Sequence, residues 1–146
     1  MQIGEFLVKN KEFSTASWQC YDRYLNGFIA VNLDKIQTQE DLKRSFFADG
    51  INNENSDVTL RALMGHCICM FHVIVSEDMR LQNSNSIQQI AEILRVLRLI
   101  MSILLEVDHF CWLIYNATIY MYTIGRFMMQ YGQSKIVILL RFSFFL

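Results

Sequence analysis

The chain has 146 residues, with 13 basic and 14 acidic side chains and a formal net charge of −1. This balance supplies no basic footprint for nucleic acid, so nucleic-acid binding is not expected. Apolar side chains make up 53% of the chain and charged ones only 18%, against about 25% in an average soluble domain. A domain of this size hides roughly 70% of its unfolded surface. We therefore expect exposed apolar surface that either a membrane or more protein must cover.

Proline is absent from the sequence, although ordinary usage of about 5% would give about seven. Proline stops helices because it lacks an N–H group and its ring clashes with the preceding turn. Its absence permits long helices, and the apolar periodicity predicts where they form. No apolar run of signal-peptide length occurs near the start, and the chain has only four cysteines. We therefore expect reduced thiols in a cytosolic compartment.

The first half of the chain predicts two helices. Ser14 is a candidate N-cap for the first. The apolar stripe of that helix consists of Trp18, Tyr21, Leu25 and Phe28. The second is short and begins at Thr38, with acidic residues in its first turn, where the helix dipole favours them. It is expected to end near Phe47, ahead of a loop rich in Asn, Ser, Asp and Gly that starts at Asp49-Gly50.

A third helix is predicted from Asp57 to about Met79, with Asn55 or Ser56 as its N-cap. It has a broad apolar face. That face is formed by Leu60, Leu63, Met64, Cys67, Met70, Phe71 and Ile74.

The strongest pattern lies between Ile87 and Tyr131. Ser86 and Gln89 have the spacing of a capping box. The helix that follows has an apolar face of Ile87, Ile90, Leu94, Leu97, Met101 and Leu104. Asp108 is the predicted cap of a second long helix. Because the connection is short, the two helices, over 87–106 and 109–131, are expected to form an antiparallel hairpin.

Gly132 could close the second helix of this hairpin. The last residues, 136–146, read IVILLRFSFFL and follow neither a helical nor an alternating period. Such a tail adheres to other surfaces unless it is covered. We treat 1–135 as one helical segment and 136–146 as a divergent apolar tail.

Metal-ligand residue types occur together at one place only, in His66, Cys67, Cys69 and His72. Zinc needs ligands that converge on one point, and on a single helix Cys67 points away from the other three. Buried cysteine and histidine on an apolar face are ordinary packing residues. We expect no metal site.

Catalytic motifs are also missing, because the sequence has no phosphate-binding glycine loop, nucleophile elbow or zinc-protease pattern. Glu106 and Asp108 beside His109 fit a helix end better than an acid–base group. Asn116-Ala117-Thr118 matches a glycosylation acceptor, but its position within a helix favours packing. We expect no enzyme activity, no cofactor and no small-molecule substrate.

The basic residues are interpreted as a solvated face or as a polar rim that contacts acidic neighbours. They are Lys43, Arg44, Arg61, Arg95 and Arg98.

An aromatic stripe in the last helix allows two interpretations. It consists of Phe110, Trp112, Tyr115, Tyr120, Tyr122 and Phe127. We favour large core anchors whose polar tips reach the edge of the packing layer. The alternative is a small membrane-associated helical protein, anchored through residues 110–125 and the tail. The uncharged run is shorter than the about 20 residues that cross a bilayer.

The stretch LLEVDHFCWLIYNATIYMYTIGRFMMQYG, and more widely residues 1–135, resembles the cilia- and flagella-associated protein 54 family. The resemblance implies a fragment or short isoform of a very large scaffold in the central apparatus of the axoneme. That scaffold is needed for the assembly and beating of motile cilia and sperm flagella. It implies a cytoplasmic, cytoskeletal location, central-apparatus proteins as direct partners and microtubules as indirect ones. It implies no catalytic or cofactor-binding residues.

The excess of apolar side chains fits this resemblance, because each helix pair of a helical array buries its faces against neighbours. We therefore predict an all-α fold of antiparallel helical hairpins, forming one slice of a repeat-like scaffold. Its function would come from protein–protein contacts along helix faces.

Overall fold

The computed structural model describes residues 2–25, 35–51 and 54–131. Six helices occur in these ranges and no strand does, which confirms the all-α class. They are α1 (Gln2–Lys9), α2 (Phe13–Thr15, the π-helical Ala16–Asp22, and Arg23–Leu25), α3 (Gln39–Phe46), α4 (Glu54–Glu77), α5 (Ser84–Leu104) and α6 (Cys111–Tyr131). The predictions for Phe28, Gly132 and 136–146 lie outside the described residues.

Helix α5 lies at the centre of the structure. It packs against α4 on one side and α6 on the other, and α3 lies across it. Its buried side chains therefore extend well beyond the single face that the periodicity predicts. They are Ser86, Ile90, Ile93, Leu94, Val96, Leu97, Leu99, Ile100, Ile103 and Leu104. Helices α1 and α2 pack on α4 and form a second layer.

The hairpin of α5 and α6 confirms the strongest prediction, with a longer connection than expected. Six residues, 105–110, join the two helices and include a 3-10 turn, Asp108–Phe110. Asp108 does not precede α6 as its cap, because it already belongs to this turn, and Val107 is the extended residue before it. The two helices remain packed against each other despite the longer connection.

The predicted capping box of Ser86 and Gln89 is wrong. Helix α5 starts three residues earlier, and the side chain of Asn83 accepts a hydrogen bond from the backbone N–H of Asn85 at 3.0 Å. The preceding loop is fixed by the Asp78 carboxylate, which accepts backbone hydrogen bonds from Gln82 and Asn83. Asn83 is therefore held where it caps the helix, and Ser86 is buried in the first turn.

Two further predicted caps are wrong. The helical segment of α2 starts at Phe13, so Ser14 lies inside it. Helix α4 begins at Glu54, which places Asn55 and Ser56 in its first turn. There the Ser56 hydroxyl donates to the carbonyl of Gly50 at 3.4 Å and so links the helix to the preceding loop.

The predicted start of α3 is confirmed. Thr38 and Asp41 form a reciprocal capping box, in which Thr38 Oγ1 accepts from the Asp41 N–H and the Asp41 carboxylate accepts from the Thr38 N–H. The Thr38 hydroxyl also donates to the Asp41 carboxylate at 2.8 Å, and this hydrogen bond, followed by the one from the Thr38 N–H, lowers the pKa of Asp41. The turn after α3 ends at Gly50, whose φ of +93° suits glycine.

Tyr21 holds the two layers together. Its buried ring passes between Gly4 of α1 and Gly65 of α4, where an added Cβ would lie 2.9 Å and 2.5 Å from Tyr21 Cζ. Any larger residue at either glycine would occupy the space of the ring. Tyr21 belongs to the π-helical part of α2, whose wider turn also directs Ser17 toward α4.

Leu97→Asp should lower the free energy of unfolding by about 3 to 5 kcal/mol, because it places an unpaired charge in the fully buried α5–α6 seam. The exposed Gln89→Asp variant on the same helix should change it by less than about 0.5 kcal/mol. Chemical denaturation measures both. If the two variants were equally stable, Leu97 would not be part of the core.

Gly65→Ala should destabilise the protein by about 1 to 2 kcal/mol, because the clash with Tyr21 outweighs the helix propensity of alanine. Gly125 of α6 is the matched control, since no atom lies within 4 Å of a Cβ added there. Gly125→Ala should stabilise by about 0.5 to 1 kcal/mol. Thermal unfolding that moved in the same direction for both variants would contradict the role of Tyr21.

Candidate protein-docking face

The histidines and cysteines of α4 are engaged in packing. His66 Nδ1 shares a hydrogen bond with the Ser17 hydroxyl at 3.4 Å, and the His72 ring stacks on Phe13 with centroids 3.9 Å apart. Burial lowers the pKa of both histidines. Burial also raises the pKa of the Cys67 thiol to about 12. Within the described ranges, no group of three or more His, Cys, Asp or Glu side chains could hold a metal ion.

Glu106 serves to tie the α5–α6 connection to α3. Its carboxylate accepts hydrogen bonds from Lys43 Nζ at 2.8 Å and from Gln39 Nε2 at 2.7 Å. The hydrogen bond from Lys43 is the main reason why the pKa of Glu106 is lowered. His109, the residue considered beside it, is exposed. The ionised Glu106 is thus a structural link between two elements.

The acceptor tripeptide Asn116-Ala117-Thr118 lies in the middle of α6. Ala117 is fully buried, and the Thr118 hydroxyl donates to the carbonyl of Ile114 at 2.8 Å. The segment lies within a regular helix, as the sequence predicted, but Thr118 is exposed and Ala117 is its buried residue.

The basic residues connect elements as a polar rim. Arg61 lies 3.1 Å from Asp57 and 3.8 Å from Glu5, and its guanidinium lies 4.3 Å from the ring centroid of Trp112. Arg95 Nη1 donates to Gln37 Oε1 at 2.7 Å. The interpretation of the cations as a rim that contacts acidic neighbours is confirmed for Arg61 and for Lys43, which pairs with Glu106.

The aromatic stripe of the last helix divides between two sides of α6. Phe127 packs edge-on against Phe71, with centroids 5.6 Å apart, and Phe110 and Tyr120 are also half-buried. The interpretation as core anchors is wrong for Trp112, Tyr115 and Tyr122, which are exposed. Tyr115 and Tyr122 point outward because the other side of α6 already supplies the core contacts, whereas the exposed Trp112 ring lies against the Arg61 guanidinium of α4. That buried side consists of Leu113, Ala117, Ile124 and Met128.

The outward side chains form a regular ridge, which we call the α6 ridge. It consists of Trp112, Tyr115, Ile119, Tyr122, Arg126 and Met129. Their spacing alternates between three and four residues, as in the seam of a coiled coil. The five uncharged members are 42%, 69%, 42%, 68% and 70% exposed in chain order. A contiguous exposed stripe of this kind marks an interaction surface.

A groove of about 1070 Å³ runs beside the ridge, between α5 and α6. Its lining residues are Arg98, Met101, Ser102, Leu105, Thr118, Met121, Tyr122, Gly125, Arg126, Met129 and Gln130. The lining contains two arginines and no carboxylate. Since ridge and groove share Tyr122, Arg126 and Met129, they form one continuous docking face. Its shape and chemistry suit an amphipathic helix.

The sequence pattern did not identify this face because both sides of α6 are apolar. The aromatic residues alone include members of both sides. The alternation of three and four residues from Trp112 to Met129 was the available signal. Periodicity identifies such a stripe but does not say which of two stripes faces the core.

The membrane alternative rested on residues 110–125. Across the described part of the chain, one helix is long and apolar enough to cross a bilayer, and it is Asn55–Glu77 rather than α6. Of its most apolar window, 67% is buried inside the protein. The central helix of a protein core has the same composition, so this helix adds little weight to the alternative.

Comparison with known proteins gives consistent matches. The family model described as cilia- and flagella-associated protein 54 matches residues 1–143, and so includes most of the segment 136–146. Cilia- and flagella-associated protein 54 of Mus musculus is 40% identical over 135 residues, and that of Homo sapiens is 38% identical over 136 residues. Each match covers 92% of this chain and 4% of the relative. No solved structure matches.

Stability should depend on pH through His66 and His72. Because burial lowers their folded-state pKa below the ordinary value of 6.5, the unfolded chain binds protons more readily. The free energy of unfolding should be highest above about pH 7 and should fall as the pH drops through 6.5 toward about 5. Urea denaturation across this interval measures the slope.

The double variant His66→Gln with His72→Phe is the control for this pH dependence. It removes both titrating groups, so its stability should change much less over the same interval. An unchanged slope in the double variant would show that other groups cause the effect.

Proposed function

The chain belongs to the cilia- and flagella-associated protein 54 family, and from this premise we propose that it is a structural scaffold segment of the axonemal central apparatus. It would support the assembly and beating of motile cilia and sperm flagella. It acts by protein–protein contact and performs no catalysis. The chain spans about 4% of the length of the relatives it matches, so the role proposed is that of one segment in a larger assembly.

The observation that carries this proposal is the docking face. A stripe of large apolar side chains at coiled-coil spacing, beside an apolar groove, is costly to leave in water and suited to a protein partner. An enzyme would need reactive side chains that converge on one point, whereas the candidate side chains of this structure make packing contacts. The histidines of α4 contact Ser17 and Phe13 of α2, and Glu106 bonds to α3.

The partners proposed for this segment are other central-apparatus proteins, with microtubules as indirect partners. Its location would be the cytoplasm, the cytoskeleton and the axoneme of the cilium or flagellum. The family relationship supports the ciliary location. The docking face supports the mode of action.

The test is the location of the tagged chain in ciliated cells after detergent extraction of the membrane. The chain should remain with the extracted axonemes, and the ridge variant Tyr115→Ser with Tyr122→Ser should be lost from them. Ile3→Ser with Phe6→Ser is the matched control, because it removes two exposed apolar side chains from α1. The control should be retained. Equal retention of both double variants would contradict a role for the α6 ridge.

Alkaline carbonate extraction of the same cells separates this role from the membrane alternative. A scaffold segment should be released into the supernatant, with or without residues 136–146. Recovery in the membrane pellet would contradict the scaffold proposal, and dependence of that recovery on 136–146 would identify the tail as the anchor.

A further inference from the structure

We propose that the α6 ridge binds the α6 ridge of a second copy of this chain, with the two helices antiparallel. The inference names a partner for the docking face on which the proposed function rests.

The ridge is self-complementary in one register. A two-fold axis that crosses the helix midway between Ile119 and Tyr122 sets each residue opposite one residue of the second copy. Ile119 then faces Tyr122, Tyr115 faces Arg126, and Trp112 faces Met129. In an antiparallel coiled coil, a residue at one of the two seam positions of the heptad faces a residue at the other position in the partner helix. All three pairs of ridge residues satisfy this condition. The resulting contact is isologous, as in most dimers.

Each of these layers pairs compatible side chains. The Arg126 guanidinium meets an exposed tyrosine ring, which is a cation–π contact. Met129 brings its sulfur to the Trp112 indole, a favourable sulfur–aromatic contact. Ile119 and Tyr122 form the apolar centre, and the tyrosine hydroxyls can reach the solvated edge.

The charge of α6 favours the antiparallel arrangement over the parallel one. Arg126 is the only charged residue between Cys111 and Tyr131. A parallel pair would set Arg126 against Arg126 in the seam, where two like charges repel. In the antiparallel pair the two arginines are about 16 Å apart along the axis.

The dimensions also suit a helix pair. At 1.5 Å per residue, α6 is about 31 Å long, and the ridge runs along most of it. The outward side of α6 is exposed from Trp112 to Met129, so a second helix can lie along it. The neighbouring Leu105, which is also exposed, would be covered at the edge of such a pair.

The test is sedimentation equilibrium of the purified chain with a charge series at the ridge. The wild-type chain should form a dimer. Tyr115→Glu places a carboxylate opposite Arg126 and should preserve the dimer, whereas Tyr115→Lys places two cations together and should weaken it at least about tenfold. A parallel pair would set position 115 against itself, so both variants would weaken it alike.

A charge-reversal double variant tests the antiparallel register directly. Combining Tyr115→Lys with Arg126→Glu should restore the dimer, because each lysine again faces a carboxylate. Within one helix the two positions are eleven residues apart, about 16 Å along the axis, so the rescue must occur between copies. Both positions are exposed, and circular dichroism should show that every variant keeps its helices.

Disulfide formation supplies an independent readout in a Cys111→Ser background. Tyr115→Cys mixed with Arg126→Cys should form a disulfide-linked pair, and neither variant alone should do so. A wild-type chain that stays monomeric at all concentrations would overturn the proposal. Equal weakening by Tyr115→Glu and Tyr115→Lys would overturn the antiparallel register. A dimer that is absent from axonemes would contradict the proposed function alone.

Discussion

Helix α5 is buried on several sides, and its burial determines where the neighbouring helices lie. Leu94, Val96 and Leu99 lie on different sides of this helix, and all are buried, so α5 needs neighbours around more than half of its circumference. Helices α3, α4 and α6 supply them. Once α6 has turned Leu113 and Ile124 toward α5 and α4, its remaining apolar side chains have no place in this core. The exposed ridge is therefore a consequence of how α5 is buried.

The outer layer of α1 and α2 is fixed by shape more than by charge. The Tyr21 ring fills the space left by Gly4 and Gly65, and burial raises the pKa of its hydroxyl. The ion pair of Lys43 and Glu106 is solvent-exposed, and such pairs contribute little to stability. Its effect is positional, because it holds the α5–α6 connection against α3.

Much of this fold could be predicted from the sequence, and the errors have a common physical origin. Five of the six described helices, the hairpin and the Thr38 cap follow from periodicity and from one strong N-cap, whereas α1 (Gln2–Lys9) was not predicted. The cap at Ser14 was wrong because that helix begins at Phe13, after a Glu12 that makes no side-chain cap hydrogen bond. The cap at Ser86 was wrong because several Ser and Asn residues near the start of α5 could each cap the helix. Tertiary contacts, such as those of Asp78 with the loop before α5, select among them. The π-helical turn of α2 has no comparable signal.

The docking face could be predicted only in part, since α6 has two apolar sides of similar hydrophobicity. Side-chain chemistry separates them. The inward side includes the small Ala117, which permits close approach, while the outward side has tyrosines whose hydroxyls would need partners if buried. Exposed Tyr115 and Tyr122 keep their hydroxyls hydrated while their rings remain available to a partner. The same property lets the ridge tolerate water before assembly and pack tightly after it.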